Sequence, residues 1–544
     1  MKRWYAWIIL VCTIVIAVVL RLYQLGEVPP SPDWDEVALG YNAYSILHTA
    51  RDEYGSFLPL TFRSFNDYKP PLYVYLTVPS IALFGLSVWA VRLPSAIMGI
   101  LAVFGTFFLV RELFKKNLLG HKVALLTSFL LAISPWHIQF SRIAFEANIG
   151  VTINIWASYF FLRGFYSRRG FIVSAMLCAL ALYTYHSERI FVPCLVVFLI
   201  IIYRKQIILY KKRSLLLAGI VGILVLSPLI PSLLSKEAVT RLKGTSSFRE
   251  QTVLLSNSII KLEYDRIRGD KIGEIFDNRR VDYIKTILRG YLVHFSPNWL
   301  FITGDLYRHQ APDMGLLYFW EAPFILIGIF QLIRKKAREN IFFIGWVLLA
   351  PIAASPTTPV PHAIRTLVFL PSFHVFCAMG LISVFSFLYK RSVKWTIPLT
   401  VGIVVIIIGY FIYYVHMYFI HTNIEYSRYW YYGYRQAVEY SEAHKGEYKK
   451  IVVSTDLEQP YMFFLFFSKY DPNKYLKQGG TVSGNFDEEF NHFDKYEFRK
   501  INWQNEKRDG SVLYIGTPDE IAHGTKANIM YLDGSPAIRI TDRE

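Results

Sequence analysis

The feature that most constrains this chain is a succession of long apolar runs separated by short clusters of lysine and arginine. Inside a bilayer every backbone N–H and C=O must be satisfied within the protein, so such runs become helices. A full span takes roughly 20 apolar residues. Composition agrees. Of 544 residues, 53% are hydrophobic and only 18% charged, and mean hydropathy is +0.31. Soluble domains carry about 25% charge, which excludes a string of water-soluble domains. The four cysteines, Cys12, Cys178, Cys194 and Cys377, fall inside apolar runs and read as small buried hydrophobes, with no disulfide or metal-ligand spacing.

Net charge is +17. In a soluble chain that excess raises nucleic-acid binding. Here the basic residues stand between apolar runs rather than along one stripe, the pattern that orients loops. The spans expected are Trp4–Leu20, Leu93–Val110, Val123–Trp136, Ile149–Leu162, Phe171–Tyr185, Ile190–Tyr203, Leu215–Leu234, Leu316–Ile333, Ile341–Ala354, Thr366–Leu388 and Trp395–Met417. The first is long for a signal peptide and lacks a small-x-small cleavage site, so it reads as a retained span. Taking Pro70–Gly85 as an interfacial helix puts the clusters Arg111–Lys122, Arg163–Arg169, Arg204–Arg213, Arg334–Arg338 and Lys390–Lys394 all on the cytoplasmic side.

The expected fold is therefore a polytopic α-helical membrane protein of about eleven transmembrane helices, with interfacial helices in the first outer loop. Residues 1–420 form the transmembrane domain, with a first outer loop 21–91 and a long outer loop 235–315. Residues 421–544 form a small extracytoplasmic α/β domain, whose short runs KIVVSTD, YMFFLFF, SVLYIGT and ANIMYLD look like strands.

The outer segments hold the chemistry. Asp35 and Glu36 open a helix-like stretch just beyond the first span, where a helix dipole favours carboxylates. Taken alone they read equally as an N-cap acid pair. Lys69 precedes a rigid Pro-Pro, and Arg92 stands at the outer mouth of the second span. Arg142 and Glu146 lie four apart, the spacing of a simple helical ion pair. Tyr185, His186, Glu188 and Arg189 share a tight turn; Asp305, Arg308 and His309 lie in the long loop; His362 and Arg365 stand before the tenth span. Outer cations are not explained by loop orientation and point to a bound anion, for which a lipid-linked phosphate is the natural candidate. A carboxylate beside them suits proton removal from an attacking hydroxyl, and fixed cations suit charge developing on a departing phosphate. No Walker A or Rossmann glycine pattern is present.

Trp34-Asp35-Glu36, then Lys69-Pro70-Pro71-Leu72, then Arg92-Leu93-Pro94-Ser95-Ala96 together resemble the GT-C membrane glycosyltransferases of the protein O-mannosyltransferase and lipid A aminoarabinose transferase type. The resemblance implies a sugar donor on polyprenyl phosphate and inverting transfer on the extracytoplasmic face of the cell membrane. It makes Asp35 the general base and Glu36 its partner, with Lys69, Arg92, Arg365 and His362 on the donor phosphate. Glu146, Arg142, Tyr185, Arg189 and Arg308 remain as substrate-binding candidates. Lysine before the Pro-Pro, where the protein mannosyltransferases carry histidine, places the chain nearer the bacterial branch. The acceptor is a protein, a lipid or a cell-wall glycan. No metal and no other cofactor is expected, although some relatives use a divalent ion. The competing readings are a flippase for a polyprenyl-linked glycan, which needs polar groups along mid-membrane, and an oligosaccharide ligase.

Overall fold

The computed structural model describes residues 3–65, 67–117, 119–235, 251–335, 337–391, 393–482, 491–522 and 525–543. The expected outer loop 235–315 is thus described except for 236–250. The chain is mostly helical. It opens with α1 (Arg3–Leu22), α2 (Trp34–Thr49), a hairpin of β1 (Phe62–Ser64) and β2 (Asp67–Lys69), α3 (Leu72–Phe84) and α4 (Val88–Leu113).

Six helices among the described residues are long and apolar enough to cross a membrane: Trp4–Leu22, Val88–Leu113, Glu188–Ile208, Lys212–Leu233, Leu367–Arg391 and Thr396–Glu425. Gly120–Ile133 and Pro135–Arg142, bent by 57°, make a seventh if counted as one span. Multiple spans are therefore present, and among the described residues six or seven, rather than about eleven, are of full length. Four of the expected runs form the helices Ala147–Gly164, Arg168–Ala181, Glu321–Arg334 and Arg338–Leu349, outside that group. At 1.5 Å per residue the last three rise only about 20 Å, short of a hydrocarbon core roughly 30 Å thick.

The chain forms two compact units. One comprises residues 1–16, 101–137 and 150–409 and is helical apart from its loops. The other comprises 17–100, 138–149 and 410–544. Packing thus groups the C-terminal region with the first outer loop, whereas composition divides the chain at residue 420.

Within that second unit lies a six-stranded sheet of order β4-β5-β3-β6-β8-β7. Its strands are β3 (Lys450–Val453), β4 (His492–Phe493), β5 (Tyr496–Phe498), β6 (Val512–Gly516), β7 (Ala527–Met530) and β8 (Pro536–Thr541). β3 runs parallel to β5 and β6, and the remaining pairings are antiparallel. KIVV, VLYIG and ANIM are strands as expected, but YMFFLFF is not: Pro460–Phe467 is a helix with every residue through Phe466 buried. A short apolar run buried on all sides has no periodicity to distinguish the two states. Proline at its start and the unbranched Met, Leu and Phe favour the helix. This helix packs on α2, where a Cβ at Gly40 would fall 2.6 Å from Val91 and 2.7 Å from Phe466. Only glycine permits that approach.

Candidate active site

Asp33 caps α2. Its Oδ1 accepts from the Glu36 amide at 2.9 Å, while Glu36 Oε2 accepts from the Asp33 amide at 3.2 Å. This reciprocal capping box fixes the helix start. Consecutive residues then diverge by about 100° around the axis, so Asp35 and Glu36 leave the same turn in different directions.

Glu36 goes inward. Arg92 Nε and Nη2 donate to its two oxygens, each at 2.9 Å, and the Ala144 amide adds a bond of 2.8 Å. Both side chains are fully buried. Arg92 spends its other N–H groups on the carbonyls of Leu25, Pro29 and Ser31. All five guanidinium donors are thereby used. The expectation that Arg92 binds a donor phosphate does not fit this arrangement, because no N–H is left to offer. Glu36 likewise ties the loop 25–31, α4 and residue 144 together through these contacts.

Asp35 goes outward. Its Oδ1 lies 2.8 Å from Lys69 Nζ, and the two side chains are 19% and 11% exposed. Lys69 is delivered by the β1–β2 hairpin, where it pairs with Phe62, and the chain then turns through Pro70-Pro71 into α3. The Trp34 ring leans on Phe65 and Tyr431 beside the pair. This ion pair, unlike its neighbour, keeps part of each side chain exposed.

Arg142 ends its helix, so the i,i+4 geometry with Glu146 is not realised. Its guanidinium donates to the carbonyls of Leu20, Gln24 and Val28 and stands over the Phe419 and Tyr418 rings. Glu146 is buried in the same unit. Tyr185, Arg189 and Arg308 are half-buried in the other unit.

That other unit also gathers a histidine cluster. Asp305 Oδ2 accepts from His309 Nδ1 at 2.7 Å and from the Ala363 amide at 2.6 Å. The His309 and His362 rings lie 5.2 Å apart. His294 Nδ1 donates to the Gly290 carbonyl, and its Nε2 accepts from the His362 amide. Burial, reinforced by Arg365, lowers the His294 imidazole to about 4. Burial and Arg365 also hold His362 well below the usual imidazole range. Burial raises Asp305, but the His309 hydrogen bond and charge outweigh it and leave the carboxyl below its ordinary value. Arg365 itself donates to Thr357 Oγ1 and to the Thr358 and Pro359 carbonyls.

Glu53 escaped the sequence reading. Fully buried, it accepts from Asn42 at 3.0 Å, Tyr461 at 3.3 Å and Thr481 at 2.7 Å, joining the loop after α2 to the C-terminal domain. Burial pushes its carboxyl up to about 7, despite those hydrogen bonds.

Comparison with known proteins gives this architecture a place. Residues 68–231 match the family described as dolichyl-phosphate-mannose-protein mannosyltransferase. ArnT from Cupriavidus metallidurans, in a structure bound to undecaprenyl phosphate, superposes with a TM-score of 0.57 over 98% of both chains at 13% identity. The chain has the GT-C fold of membrane glycosyltransferases. The oligosaccharyltransferase AglB from Archaeoglobus fulgidus, in complex with an inhibitory peptide and a dolichol-phosphate, gives 0.50 over 86% of this chain and 64% of that one, at 14% identity. No relative of curated function matches by sequence.

Proposed function

We propose that this GT-C chain transfers a sugar from a polyprenyl-phosphate donor to an acceptor hydroxyl on the extracytoplasmic face of the membrane. Asp35 acts as general base and Lys69 as phosphate ligand. The observation that carries the reading is the largely buried Asp35–Lys69 pair, 2.8 Å across, with Asp35 at the start of a capped helix and Lys69 inside the region of the family match. The polyprenyl phosphates bound in the ArnT and AglB structures support a donor of that chemical class. An N-inside topology of eleven crossings, some by short helices, belongs to the same proposal and is what places α2 outside.

The chemistry balances in one displacement. The acceptor oxygen forms a bond to the anomeric carbon while its proton passes to an Asp35 oxygen. The bond from that carbon to the phosphate oxygen breaks, and its electron pair stays on the phosphate. Lys69 is in a position to exchange partners: an arriving phosphate competes for the ammonium, which uncovers Asp35 for the hydroxyl and then stabilises the charge of the leaving group. Glu36 and Arg92 hold the loop and helix on which both residues depend. His362 and Arg365 stay in the proposal as further donor contacts, and Glu146, Arg142, Tyr185, Arg189 and Arg308 as substrate contacts.

The test is purified protein in lipid vesicles with a radiolabelled polyprenyl-phosphate sugar and a panel of acceptors. Transfer by the parent chain and its loss in Asp35→Asn is the expected result. Full turnover in that variant, or donor translocation without a glycosidic product, overturns the assignment.

A further inference from the structure

The geometry points to a zinc site formed by Asp305, His309 and His362. Each of these residues offers one ligand atom, and the three atoms lie within 4.8 Å of one another. Two imidazoles and a carboxylate are a set that zinc prefers, whereas magnesium and calcium seek oxygen ligands. The site is independent of the glycosyl-transfer reading and lies in the compact unit that does not contain Asp35.

Three observations carry it. His309 Nδ1 and Asp305 Oδ2 already face each other at 2.7 Å, so an ion seated there exchanges one hydrogen bond for two metal bonds. His362 is buried, and among the described residues its Nδ1 has no hydrogen-bond partner. An orphaned ring nitrogen in a dry setting is costly unless something binds it. The shell around the ligands is also built. The Ala363 amide fixes Asp305, and Thr366 Oγ1 together with Trp136 Nε1 holds the backbone carbonyls of His362 and Ala363. Such outer contacts orient ligating side chains. With zinc–nitrogen bonds of about 2.1 Å, closing the widest gap takes a side-chain movement of about an ångström. Three protein ligands leave the fourth position open to water.

The experiment is elemental analysis of the full chain, purified without chelator, followed by thermal unfolding. About one zinc per chain is expected. Chelation should remove it and lower the Tm, and zinc but not magnesium should restore the Tm. His309→Gln and His362→Gln should lose the metal while still eluting as a monodisperse species; Asp35→Asn, which disables only the proposed chemistry, should retain it. Should either histidine variant fail to fold, cobalt substitution in the parent chain gives the same answer through the visible absorption of a tetrahedral site. A parent chain without zinc and without a thermal response to zinc overturns the proposal. So does zinc that persists unchanged in both histidine variants, which would place the ion elsewhere.

Discussion

Two adjacent acidic residues meet two cations in opposite ways. Glu36 and Arg92 are fully buried, bidentate and ringed by carbonyls, whereas Asp35 and Lys69 share a single contact with part of each side chain exposed. A buried pair with every donor spent is costly to break. A single contact between side chains that keep some exposure costs less to lose than a bidentate pair with none. On the proposed function, the difference separates scaffold from chemistry within one turn of α2. The largest effect should therefore come from Asp35→Asn, with turnover falling by about 10²- to 10⁴-fold while the Tm stays within a degree or two. A variant that lost both together would erase the distinction.

The mirror-image outcome is expected one residue on. Glu36→Gln or Arg92→Met should destabilise the protein by about 3–5 kcal/mol, because the remaining charge is left buried without its partner. The loss should appear as a lowered Tm or failed insertion before any catalytic defect is seen. Arg92→Lys should rescue little, since an ammonium cannot reproduce the guanidinium fork. Near-normal stability in Glu36→Gln would count against the scaffold role and return Glu36 to the list of reacting groups.

Glu53 sharpens the comparison with a buried carboxyl that has hydrogen bonds but, among the described residues, no cation in contact. Its folded value of about 7 lies above the ordinary 4.5, so between those limits the native state holds more protons than the unfolded one. Stability is then greatest below pH 4.5, declines as pH rises towards 7, and levels off above it. The penalty is at most ~3 kcal/mol. Glu53→Gln should flatten this part of the profile of Tm against pH. An unchanged slope would show that Glu53 is not its source.

What could be read from sequence follows from what spacing encodes. The order of Asp35, Lys69 and Arg92 was visible because polar residues stand out beside apolar runs. Their division of labour was not, because burial decides it: Arg92 and Lys69 look alike until five carbonyl and carboxylate oxygens surround one of them. Glu53 was hidden for another reason. In RDEYG it resembles a solvated turn, and Tyr461 and Thr481 lie 408 and 428 residues away in sequence. The helix Pro460–Phe467 reads as a strand in sequence because burial on all sides removes the period that tells them apart. Asp305 and His309 share one loop and His362 stands in another, and only the fold brings the three together. The membrane character was plain from composition, yet the span count was not, since helices of 12 to 14 residues are too short to be counted by length.

Lys69 should show the smallest effect, and its kinetics probe how far the two members of the Asp35–Lys69 pair act together. Lys69→Gln removes one charge-assisted contact to phosphate, a loss of about 1.5–3 kcal/mol, or roughly 10- to 150-fold in kcat/KM for the donor. Lys69→Arg should recover most of it, because a phosphate tolerates either cation when the contact is single. Stability should move less than in Glu36→Gln, since Asp35 keeps some exposure and Glu36 has none. If Lys69→Gln instead fell as far as Asp35→Asn, the two side chains would have to act as one unit, with the ion pair itself required in the transition state. If it lost nothing, the phosphate would have to be held by other cations, and Arg365 would be the next to substitute.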